Sequence, residues 1–202
     1  MIAIIDYGMG NLASVQNAFI KMGFEAYTTS NSDEILSADK VVLPGVGAFA
    51  DAIRNIRNLG IDQAIHELIK RETPFMGICL GLQLLFSESY ENGIHKGLDV
   101  IRGRVEKFDL PAEYKVPHMG WNQLAINPAS QLLEGIPTGS YFYFVHSYYV
   151  VPEDEAVVVG RTDYGLDFVS AVEKGKLFAC QFHPEKSSEL GLKIIKSFGE
   201  MK

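Results

Sequence analysis

The chain has 202 residues, a length that lets a single globular domain bury about 70% of its unfolded surface. Hydrophobic residues at 47% and charged residues at 21% exclude a disordered or fibrous chain. A formal net charge of −7 argues against a nucleic-acid partner, because phosphate contacts need clustered Lys and Arg.

Met1 leads straight into an apolar run without a basic n-region, so no signal peptide is expected. Ile2 to Asp6 reads as the first strand. Leu12, Val15, Phe19 and Met22 recur at helical spacing, and Gly23 provides the stop. Lys40 to Leu43 reads as a short buried strand ending at Pro44-Gly45. Asp51 to Arg71 is helical with a break near Gly60, its apolar stripe made by Ile53, Ile56, Ile61, Ile65, Leu68 and Ile69. Pro74 to Cys79 is a further strand, followed at once by a helix carrying Leu82, Leu84, Leu85 and Phe86.

Between Val100 and Cys180 short β runs and turns dominate, with a hairpin at Glu173-Lys174-Gly175-Lys176. The longest apolar stretch, Tyr141 to Val151, is interrupted by His146 and Ser147 and is too short for a bilayer, so no membrane partner is expected. Ser187 to Gly199 closes the chain as an amphipathic helix. The pattern predicts one α/β domain over residues 1–202, an open, mostly parallel sheet flanked by helices, with extra hairpins in the second half. Two cysteines make no disulfide framework and show no metal-ligand spacing. A cytoplasmic chain with reduced thiols, no metal and no cofactor is expected.

Open sheets of this kind place ligands beyond the carboxyl ends of their strands, and three strand ends carry chemistry. In Gly77-Ile78-Cys79-Leu80-Gly81 a strand runs into a cysteine between glycines and a helix runs out. Small neighbours allow the sharp turn that exposes a nucleophile, and a helix N-terminus favours the thiolate. The same string is equally consistent with a packed structural thiol. His183 follows the strand Leu177 to Phe182, and Glu185 lies where a bend at Pro184 returns its carboxylate to the imidazole. Nucleophile, base and orienting acid are the three parts of thiol catalysis, although a histidine at a strand end is commonly structural. Pro44-Gly45-Val46-Gly47-Ala48-Phe49 offers backbone N–H donors for an oxyanion, or simply a tight turn before a helix.

Gly8-Met9-Gly10-Asn11-Leu12-Ala13 imitates a dinucleotide fingerprint, but the acidic residue expected about 20 positions on is absent. Cys180 lies inside a strand and reads as a core thiol.

Taken together, the strings Gly77 to Gly81 and Gln181-Phe182-His183-Pro184-Glu185 resemble the two hallmark motifs of the class I (triad) glutamine amidotransferases. Pro44 to Phe49, Pro117-His118-Met119-Gly120-Trp121-Asn122 and Phe144-Val145-His146-Ser147-Tyr148 narrow the resemblance to the glutaminase subunits of imidazole glycerol phosphate synthases. Other triad members carry a Gly-Gly pair where this chain has Gly45-Val46-Gly47.

The resemblance implies a flavodoxin-like sheet and L-glutamine as substrate. Cys79 would form a glutamyl thioester, with His183 moving protons and Glu185 orienting it. Backbone N–H groups of Leu80 and of Val46-Gly47 would hold the oxyanion. Gln83 and Glu91 would bind the α-substituents of glutamine, with Ser147 and Tyr148 completing the pocket through their backbone. It further implies that ammonia passes to a (βα)₈-barrel cyclase subunit, which docks on Asn11, Met119 and Trp121 and works in histidine biosynthesis. The rival readings are a glutaminase of another pathway, a catalytically silent copy of the fold and a cysteine protease.

Overall fold

Apolar runs with no polar alternation need both faces covered, and the chain builds its centre from such runs. The computed structural model describes residues Met1–Lys202. The first half alternates β1 (Ile2–Ile5), α1 (Leu12–Lys21), β2 (Ala26–Thr29), α2 (Ser32–Ser37), β3 (Lys40–Gly45), α3 (Phe49–Asn58), α4 (Ile61–Lys70), β4 (Phe75–Cys79) and α5 (Leu80–Leu84). Strands then dominate: β5 (Phe86–Ser89), β6 (His95–Lys96), β7 (Ile101–Lys107), β8 (His118–Ile126), β9 (Ser140–His146), β10 (Tyr148–Pro152), β11 (Val158–Asp163), β12 (Asp167–Lys174) and β13 (Leu177–Cys180). α6 (Ser188–Glu200) ends the chain.

The central block has the order β2-β1-β3-β4-β13, every neighbouring pair parallel. Its strands β1, β4 and β13 are buried at every position. Alternate side chains enter two cores. Ile5, Val41, Leu43 and Phe75 pack with α3 and α4 on one face, whereas Ile4, Val42, Met76 and Phe178 pack with α1 and α6 on the other. The later strands extend the sheet from β13 largely antiparallel, through β12, β10 and β7. β8 and β9 form a hairpin that reaches back to His183. No helix is long and apolar enough to cross a membrane.

The expected break at Gly60 is real: it adopts a left-handed conformation between α3 and α4. The hairpin joins β12 to β13, pairing Lys174 with Leu177. Two differences stand out. β2 and α2 were not expected, although Asn31 caps α2 by accepting from the backbone N–H groups of Asp33 and Glu34. The helix expected to continue through Phe86 stops at Leu84, and Phe86 begins β5. Every residue from Leu80 to Phe86 is buried, so the apolar run carries no periodicity to separate helix from strand.

Candidate active site

β4 delivers Cys79 to the carboxyl end of the parallel block. The chain turns there with φ +56° and ψ −108° at Cys79, a conformation that costs a non-glycine residue about 1–3 kcal/mol. The turn needs Gly81, because a Cβ there would collide with the carbonyl oxygen of Leu43 on β3. The first turn of α5 and β3 thus approach too closely for any side chain at residue 81. α5 has only one turn, so the thiolate support expected from a helix N-terminus is limited to the N–H groups of that turn.

His183 is held by its backbone. Its N–H donates to the Tyr143 carbonyl at 2.9 Å, and its carbonyl accepts from Ser187 Oγ at 2.6 Å. Ser187 Oγ in turn accepts from the Tyr143 N–H at 3.0 Å, so one buried hydroxyl clamps His183 to β9. A short 3₁₀ turn, Pro184–Lys186, brings Glu185 back beneath the imidazole. Nδ1 of His183 and Oε1 of Glu185 lie 2.8 Å apart, with both side chains almost wholly buried. Burial alone would push the imidazole down. The neighbouring Cys79 sulfur and the hydrogen-bonded Glu185 carboxylate outweigh that and hold His183 up to about 10. Nε2 has no hydrogen-bond partner, although the Cys79 thiol lies near enough to raise the ring. Such contacts commonly tighten only when substrate binds.

Cys79 opens into a cavity of about 310 Å³. Val46, Gly47, Leu80, Gln83, Glu91 and the segment Val145 to Tyr148 line it with Cys79. Eight of the residues singled out in the sequence therefore share one cavity, with His183 and Glu185 beside it. A larger groove, about 460 Å³, runs between Gln131 and the end of α6 and is lined by neither cysteine nor histidine. Val46 and Gly47 form an exposed turn, with Gly47 at φ +96°. Glu91 has a structural task as well: its Oε2 accepts from the Phe49 N–H at 2.7 Å and caps α3, leaving Oε1 uncommitted.

Asn11 is exposed at the start of α1, with its side chain uninvolved in capping. Met119 and Trp121 project from β8, 63% and 52% exposed. Cys180 is fully buried, donates to the Phe182 carbonyl, and is pushed well up by burial. No group of three or more His, Cys, Asp or Glu side chains is placed to hold a metal.

Four buried polar residues at the site have no role assigned from the sequence: Gln181, Ser187, His118 and His146. Gln83 Nε2 donates to the Tyr148 carbonyl at 3.1 Å and to Gln181 Oε1 at 3.0 Å. His146 Nδ1 lies 2.8 Å from the same carbonyl, so it carries the proton. That leaves His146 Nε2 as acceptor for His118 Nδ1 at 3.1 Å, and His118 Nε2 as acceptor for Asn122 Nδ2 at 3.3 Å. Burial pushes both rings down, His118 to about 4 and His146 to about 3, and keeps them neutral.

A sharp turn that presents a thiol, an imidazole–carboxylate pair beside it and a pocket with backbone donors define a class. The chain belongs to the class-I glutamine amidotransferases, whose family profile matches residues 3–200. Two solved structures share the fold at TM-scores of 0.76 and 0.75: a glutamine amidotransferase covering 100% of both chains, and PurLQS from Thermotoga maritima covering 98% and 96%, each 20% identical. Much nearer in sequence is the imidazole glycerol phosphate synthase subunit HisH of Moorella thermoacetica, 55% identical across 99% of this chain and 94% of that protein. HisH of Geobacter sulfurreducens is 50% identical across 100% and 99%. HisH of Aquifex aeolicus is 52% identical across 96% and 94%. Within the class, the chain is of the HisH kind, a glutaminase subunit of imidazole glycerol phosphate synthase.

Proposed function

We propose that Cys79, His183 and Glu185 are the triad that hydrolyses the side-chain amide of glutamine. The proton of the Cys79 thiol moves to His183 Nε2, and the sulfur attacks the amide carbon. Backbone N–H groups of Leu80 and of the Val46-Gly47 turn stabilise the tetrahedral oxyanion. His183 returns its proton to the leaving nitrogen, ammonia departs, and a glutamyl thioester remains. Water, activated by neutral His183, then releases glutamate and restores the thiol. Gln83 and the free oxygen of Glu91 orient the α-ammonium and carboxylate of glutamine. A carboxylate suits an ammonium group in a pocket partly shielded from water.

The observation that carries this reading is the buried His183–Glu185 pair beside the cavity that Cys79 opens into. It is tested by Cys79→Ala and by a glutamine-directed affinity label. The variant should lose all glutaminase activity, and the label should add to Cys79 alone. Hydrolysis persisting in the variant would refute the role.

Ammonia needs an acceptor, and the name HisH subunit belongs to proteins of a synthase with a second subunit. We assign the acceptor site to a (βα)₈-barrel cyclase that forms imidazole glycerol phosphate and the aminoimidazole carboxamide ribotide. Asn11, Met119 and Trp121 supply its docking surface. Exposed Trp121, with Met119 and the 54%-exposed Tyr141 on the same hairpin, suits a binding hot spot. The loop before Asn11 also touches the oxyanion turn, since a Cβ on Gly47 would strike Met9 Cε. Docking there can reset the turn's N–H groups, which makes the isolated chain a slow glutaminase.

A further inference from the structure

Two side chains beyond the triad, Gln83 and Gln181, form a chain of hydrogen bonds that ends on the Cys79 sulfur. It begins at the Tyr148 carbonyl, which can only accept. The Gln83 amide atom 3.1 Å from it is therefore the nitrogen. That nitrogen also donates to the Gln181 amide, so the Gln181 atom at 3.0 Å is the oxygen. The remaining Gln181 amide atom, 3.6 Å from Cys79 Sγ, is then the NH₂ group. Amide orientation is normally open to a flip, but here each amide is fixed by the one before it. His146 Nδ1–H donates to the same Tyr148 carbonyl and holds its place.

Gln181 is fully buried and Gln83 nearly so. The Gln181 backbone is anchored through its N–H to the Ser170 carbonyl at 2.9 Å. A buried amide donor aimed at a sulfur is of little use to a thiol, which can turn its own proton to the Val145 carbonyl at 4.0 Å. It is of much use to a thiolate, whose negative charge strengthens the bond about twofold. The single turn of α5 supplies little of that support.

We propose that Gln181 is a fourth catalytic side chain, whose amide hydrogen-bonds the Cys79 thiolate and favours the reactive form of the nucleophile. Gln83 acts as a positioning residue that prevents the Gln181 amide from flipping. This rests on the reading of Cys79 as the nucleophile. No bond to carbon forms or breaks at Gln181: the proton leaving sulfur goes to His183, and the amide retains its own hydrogens.

The test is the rate of Cys79 alkylation by iodoacetamide near neutral pH, followed by peptide mass so that buried Cys180 is not counted, alongside kcat and KM for glutamine with the partner subunit bound. Gln181→Met keeps the volume and removes the donor. Alkylation and kcat should each fall about tenfold, with KM changed less than about threefold, since a bond to a charged group is at stake. Gln181→Glu keeps an acceptor for Gln83 but sets a carboxylate against the sulfur, and it should alkylate more slowly still. Native alkylation rates in either folded variant would overturn the proposal. A native chain whose Cys79 takes no glutamine-directed label would instead sink the triad reading beneath it.

Discussion

Acidification gives the sharpest check on the buried histidine pair. His118 and His146 are enclosed by Phe108, Phe144 and Phe168, with Tyr164 stacked on His118 at 4.0 Å. Their folded values of about 4 and about 3 lie below the ordinary 6.5, so their stabilising effect is complete above about pH 6.5 and declines as pH falls towards the folded values. His183 has the opposite sign. Raised to about 10, it stabilises the fold at low pH, and that contribution is lost as pH rises from about 6.5 to about 10. Between about pH 6 and pH 5 the unfolded chain binds roughly 1.5 more protons than the folded one from these three groups, a loss of about 2 kcal/mol. Urea unfolding at constant ionic strength measures it. His146→Asn keeps a donor for the Tyr148 carbonyl at the Nδ1 position and removes one titrating ring, so its loss over the same range should be about 1 kcal/mol. A native chain equally stable at both pH values, or a variant with the native slope, would refute the neutral-pair argument.

Ser187→Ala removes the hydroxyl that bonds both His183 and Tyr143. It should lower stability by about 1–3 kcal/mol and reduce kcat far more than KM, as read from thermal unfolding and steady-state kinetics. Trp121→Ala, at a half-exposed position, should leave thermal unfolding nearly unchanged. Titration calorimetry with the cyclase subunit should show binding weakened by about 2 kcal/mol or more.

Much of the site was legible because its parts are local. Gly77 to Gly81 and His183 to Glu185 each carry their chemistry within five residues; the first spans the end of β4 and the second lies just past β13, both strands buried at every position. Helices with a clean 3.6-residue stripe, such as α3 and α4, were placed well, and Gly60 separated them because it alone adopts the left-handed turn. α2 went unread although Asn31 and the acidic Asp33-Glu34 pair mark its start, since six residues give too short a stripe.

The order of the residues is enough for the chemical inventory: a thiol at a turn, an imidazole with its acid two residues on, and a glycine-bearing loop after a strand. The surroundings of the sulfur come from packing between distant segments. Gln181, Gln83 and the Tyr148 carbonyl lie far apart in the chain, and their bonds depend on β10, α5 and β13 meeting at one end of the sheet. Likewise, Ser187 holds His183 only because β9 returns beside the 3₁₀ turn. Glu91 caps α3 across 42 residues of chain. A hydrogen bond is directional and short, so its partners are known only once the backbone has placed them within about 3 Å.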